Sequence, residues 1–172
     1  MGQPITILNG SALSESTLDS IARTVGSVFR VQVLVEHAQL DLNLGYDPLR
    51  RQTNSTALLA QIVAKGASGK RIAIVDVDLF IPILTFVFGE AQLNGTAAVV
   101  STHRLAEHYY GLPRNDALMI VRLEKEVVHE LGHTFGLYHC RYFECVMRSS
   151  PSVEEIDIKS VQPCPTCAAA LR

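Results

Sequence analysis

Residues 129–139 read HELGHTFGLYH. On a helix, His129 and His133 stand four apart, so both imidazoles leave from one face. Glu130 lies beside them and can reach a metal-bound water without being a ligand. Gly136 lets the backbone leave the helix, with a positive φ available, and His139 can then turn to the same ion. Three neutral imidazoles with a fourth position left open are the donor set of a catalytic zinc site. A bare HExxH arises in about one random chain in a hundred of this composition, and adding Gly136 and His139 cuts that by roughly several hundredfold.

The chain has four cysteines, Cys140, Cys145, Cys164 and Cys167. A CxxC loop grips a tetrahedral metal from two sides, and a second pair completes a closed four-cysteine site. The 164/167 pair has the tight spacing and the 140/145 pair a looser one. No export signal precedes them, so reduced thiols or metal ligands are expected rather than disulfides. Cys140 directly follows His139, so folding a structural zinc site there would also fix the catalytic loop.

Other residues carry plainer readings. Met147, by position alone, reads as core filler. Glu124 and Glu126 read as solvated residues of the turns before the motif. His37, His103 and His108 read as surface or helix-cap residues, although His103 follows a strand and could line the cleft. Asp76 and Asp78 suggest a solvated rim or a helix cap.

HExxHxxGxxH is the metzincin zinc-peptidase signature; metzincins also carry a methionine in a tight turn beneath the zinc, and Met147 lies eight residues after His139. The whole pattern, HExxHxxGxxHC, x4, C-x-M, then CxxC, resembles the archaemetzincins. It covers residues 129–167, and Phe88-Gly89-Glu90-Ala91 is a weaker echo upstream. The resemblance implies a metzincin-like fold and a zinc metallopeptidase. It implies a supporting role for Gly136 and for Met147, packed beneath the zinc without ligating it. It further implies that the peptide lies along an edge strand near Phe86 to Ala91. The pocket after the scissile bond would be walled by residues 148–152. Metzincins often carry an inhibitory pro-segment, and this length leaves no room for one.

The expected reaction is hydrolysis of peptide bonds by a zinc-activated water with Glu130 as general base. Two Zn²⁺ per chain are expected, one catalytic on His129, His133 and His139 and one structural on the cysteines. Tyr109, Tyr110 and Tyr138 are candidates for a second electrophile. The alternative is a non-catalytic or weakly active zinc protein of metzincin-like fold that acts in protein binding.

Positioning these residues requires a frame. Residues 4–9 read as a strand, 15–29 as a helix behind Ser14, and 30–36 as a strand. A helix over 56–65 follows Asn54 or Ser55 and stops at Gly66 and Gly69. Residues 71–79, 85–91 and 96–102 read as strands, with Pro82 placing the 85–91 segment at an edge or after a loop. A long helix over 116–134 carries the motif. The alternation predicts an α/β fold with a mixed, mostly parallel twisted sheet packed on helices, including the active-site helix. After Gly136 the tail is rich in Cys, Pro and Ser, with helical patches near 153–161 and 164–171. It needs a metal staple to hold shape. One domain, 1–172, is therefore expected, with an N-terminal subdomain 1–136 and a small zinc-stapled C-terminal subdomain 137–172.

Composition narrows the function classes. Of 172 residues 48% are hydrophobic and 19% charged, too apolar for a disordered chain. Fifteen basic and 17 acidic residues leave a net charge of −2, without the basic footprint of a nucleic-acid binder. The most apolar stretch, 79–88, contains a proline and is shorter than the ~18–20 residues of a spanning helix. Gly2 and Thr6 fit a myristoylation pattern, but Ile5, Ile7 and Leu8 read more simply as a strand. The expected setting is a cytoplasmic monomer acting on a peptide or protein substrate, with no nucleic acid and no membrane.

Overall fold

A computed structural model describes residues 3–66 and 68–171; Gly2 lies outside them. The main sheet has five strands in the order β2-β1-β5-β8-β7. These are β1 (Ile5–Gly10), β2 (Val33–His37), β5 (Lys70–Val75), β7 (Gly89–Ala91) and β8 (Ala97–Ser101). All neighbours are parallel except β7, which pairs antiparallel with β8 and forms the edge. A small second sheet joins β3 (Tyr46–Asp47), β4 (Gln52–Asn54) and β6 (Leu79–Phe80).

Strand alternation sends side chains to two cores. Ile5, Ile7, Ile72, Ile74, Ala98 and Val100 face α1 (Glu15–Phe29) and α3 (Asp116–Thr134). Leu8, Ala73, Val75, Ala97 and Val99 face α2 (Ser55–Ala64). Ser14 caps α1 by accepting from the Thr17 N–H at 3.3 Å, and Asn115 caps α3 by accepting from Leu118 at 3.1 Å.

Three strand readings are corrected. Arg30 takes a left-handed conformation, φ 56°, that ends α1, so β2 begins at Val33 rather than at residue 30. The 71–79 run breaks after Val75. Asp76 there accepts from the Ala12 N–H at 2.7 Å, and Asp78 pairs with Arg104 at 2.6 Å. Neither aspartate caps a helix. The 85–91 run keeps only its last three residues as β7. The Arg50 guanidinium occupies the carbonyls of Leu84 (2.6 Å) and Thr85 (3.1 Å), which a strand would have offered to a neighbour.

The long helix α3 runs beneath the sheet toward the edge strand. Lys70 Nζ donates to the carbonyls of Thr134 (2.8 Å) and Gly95 (2.7 Å), putting a cation at the negative end of α3. The Asn94 N–H donates to the His133 carbonyl at 2.8 Å, and Gly136 follows with φ +89°. Beyond it come α4 (Val153–Ile158) and α5 (Pro165–Ala170). Charges dock this segment on α3. Arg122 pairs with Asp157 at 2.7 Å, and Lys125 donates to the Ile156 and Asp157 carbonyls at 3.0 Å. Among the described residues no helix is long and apolar enough to cross a membrane.

Candidate active site

The three histidines converge. Their ligand nitrogens all lie within 4.8 Å of one another, and the Nε2 atoms of His129 and His133 are 3.1 Å apart. Ligands about 2.0–2.1 Å from one tetrahedral zinc stand about 3.3–3.4 Å from each other, so this spacing suits the metal. The other ring nitrogens are committed. His129 Nδ1 meets the Val146 carbonyl at 2.8 Å, and His133 Nδ1 meets the Leu137 carbonyl at 2.7 Å. A carbonyl only accepts, so each Nδ1 carries the proton and each Nε2 lone pair is free for a metal. Burial, and after it Lys159, pushes the His129 and His139 pKa values below the ordinary imidazole range; burial alone does most of this at His133. Neutral imidazoles are the result.

Glu130 projects into the same cleft and is 6% exposed. Burial first, then the Glu126 carboxylate, holds its pKa well above the ordinary carboxylate range, while Lys159 opposes the rise. Gly89 on the edge strand makes this placement possible. A Cβ there would stand 2.8 Å from Glu130 Cγ, 2.9 Å from its Oε1 and 2.6 Å from the Val99 carbonyl oxygen. Gly132 does the same for Met147, whose Sδ would overlap a Cβ at that position. Met147 is fully buried, packed under the histidine turn, and its carbonyl accepts from the Cys140 N–H at 2.9 Å.

The four cysteine sulfurs also lie within 4.8 Å of one another, and all four are thiols. Cys140 Sγ and Cys164 Sγ are 3.8 Å apart, the separation of two thiolates about 2.3 Å from one tetrahedral zinc. The Cys167 backbone N–H lowers the Cys164 pKa to about 7, whereas burial raises those of Cys145 and Cys167. Cys145, Val146 and Met147 are consecutive, so one stretch of backbone supplies a cysteine to one cluster, orients His129 in the other, and packs beneath it.

The cleft has a volume of about 540 Å³. Residues 84–91 form one wall and residues 149–151 the other. His103 is absent from this lining; its ring meets Tyr109 edge-on at 5.2 Å. Tyr109, Tyr110 and Tyr138 are absent as well. Tyr110 donates to the Arg104 carbonyl at 2.8 Å, and Tyr138 is 74% exposed. Glu126 departs furthest from its sequence reading. It is buried in the cleft wall, with Oε1 2.8 Å from Nζ of a fully buried Lys159. Nothing in the local pattern signals this, because Lys159 comes from beyond α4.

Comparison with known proteins gives consistent matches. The family model described as peptidase family M54 matches residues 31–172. An archaemetzincin of Thermococcus kodakarensis is 45% identical over 129 residues, 73% of this chain and 69% of that protein. The crystal structure of an archaemetzincin from Methanopyrus kandleri superimposes with a TM-score of 0.86 at 34% identity, covering 99% of this chain and 93% of that one. A zinc-dependent peptidase from Methanocorpusculum labreanum superimposes with a TM-score of 0.87 at 27% identity, covering 98% and 100%.

Proposed function

The chain belongs to peptidase family M54, the archaemetzincins, and is a zinc metallopeptidase; from that premise we propose which residues do the work. His129, His133 and His139 hold the catalytic zinc, Glu130 is the general base, and Cys140, Cys145, Cys164 and Cys167 hold a second, structural zinc. Gly136 and Met147 support the first site. The observation that carries this reading is the convergence of two free Nε2 lone pairs and a third imidazole beside a buried carboxylate, in one cleft.

A bound zinc supplies Lewis acidity, bringing a water's pKa toward about 7 and polarising the scissile carbonyl. Glu130 takes the proton from the attacking water on a carboxylate oxygen and passes it to the leaving amine. β7 pairs on one side only, with β8, and its other edge faces the cleft. The substrate backbone lies extended along that edge by strand addition. Residues 148–152 wall the pocket that receives the side chain after the scissile bond.

Glu130→Ala tests the assignment. In a mixed peptide library read by mass spectrometry, cleavage falls by orders of magnitude while zinc content stays unchanged. Undiminished cleavage by the variant overturns the assignment of Glu130.

A further inference from the structure

Glu126 stands one helical turn before Glu130 on the same face of α3, and it lines the same cleft. Its side chain is 5% exposed and that of Lys159 behind it is 0% exposed. Lys159 Nζ lies 2.8 Å from Glu126 Oε1 and 3.2 Å from the Arg148 carbonyl oxygen. The Oε1 contact is an ion pair without hydrogen-bond alignment. Glu126 Oε1 has no aligned hydrogen bond, so the carboxylate retains accepting capacity at the cleft wall.

The pair helps to dock the segment around α4, but docking alone does not require two buried charges. Two apolar side chains would close the wall without removing two charges from water. The arrangement also has a direction. Lys159 is absent from the cleft lining, whereas Glu126 lines it together with residues 149–151. Three carboxylates, those of Glu90, Glu126 and Glu130, line the cleft, and no lysine or arginine does. Glu90 is already held by Ser55 Oγ at 2.5 Å and by Thr56 Oγ1 at 3.0 Å.

Resting on the zinc-peptidase reading above, we propose that Glu126 is a specificity-determining residue. Its subsite takes a hydrogen-bond-donating side chain from the residue after the scissile bond, lysine or arginine above all. An apolar side chain there would cover the carboxylate without giving it a hydrogen bond. An acidic one would meet like charge.

Peptide hydroxamates of one backbone, differing only in lysine, norleucine or glutamate at this position, test the proposal by calorimetry on zinc-loaded protein. Lysine is expected to bind about tenfold tighter than norleucine, its counterpart without the ammonium, and glutamate weakest. The Glu126→Gln variant loses this preference. Should it fail to fold with Lys159 buried beside a neutral amide, Glu126→Gln/Lys159→Met removes both charges together and is expected to bring the ratio to about one. Equal binding of lysine and norleucine by the unaltered protein overturns the proposal and leaves the zinc centre standing. So does a lysine preference that survives the double substitution. Hydroxamates that bind in no form overturn the zinc-peptidase reading, and the subsite with it.

Discussion

At the residue scale, an absent side chain is as informative as a present one. Gly89 leaves room for Glu130, and Gly89→Ala would push a methyl group into the Glu130 carboxylate and the Val99 carbonyl. Peptide turnover is expected to fall by about tenfold or more, since small displacements of a catalytic group cost that much, with zinc content retained. In the role proposed above, Glu130 trades stability for chemistry. Its pKa is raised in the folded metal-free protein, so its contribution is fully present below about 4.5 and is lost as pH rises toward the folded value. Glu130→Gln is therefore expected to raise the melting temperature of the metal-free protein at pH 7 and to leave it unchanged near pH 4, a comparison thermal scans can make. The histidine and cysteine clusters were legible because their spacing is local. Glu126 was not, because a glutamate one turn before a motif looks the same whether it meets water or a lysine from beyond α4.

At the scale of elements, α3 matched its sequence reading over 116–134 because its cap, its apolar face and its terminating glycine are all encoded nearby. The strand readings were less accurate for the opposite reason. Residues 71–79 alternate like a strand, yet Asp76 and Asp78 are drawn to Ala12, Thr102 and Arg104, partners distant in sequence. The short strands β3 and β4 carry no periodicity long enough to read. Lys70 shows what holds the catalytic helix in place. Lys70→Met removes the donor to the Thr134 and Gly95 carbonyls and the cation at the end of α3. A loss of about 1 kcal/mol in chemical denaturation is expected. Zinc at the histidines should weaken and zinc at the cysteines should not.

For the whole molecule, the two clusters are coupled through the backbone of Cys145, Val146 and Met147. The Val146 carbonyl fixes the His129 tautomer, and the Met147 carbonyl takes the N–H of Cys140, next to His139. Cys164→Ser is expected to empty the cysteine site, since a closed site of four cysteines needs all its thiolates. It should also weaken zinc at the histidines, about tenfold or more, as lost supporting contacts do at other metal sites. Equilibrium dialysis against a zinc buffer reads both. Charge contacts between α3 and the segment around α4 keep that segment docked meanwhile, so the far-ultraviolet circular dichroism should change little.

On the reading proposed above, one chain holds a catalytic zinc on three histidines apart from a structural zinc on four cysteines. Elemental mass spectrometry of protein purified without chelator or added metal tests it most directly, with His133→Ala measured alongside. Two zinc ions per chain are expected for the unaltered protein and one for the variant. A single zinc ion in both proteins would contradict it, because the histidine cluster would then not be a zinc site.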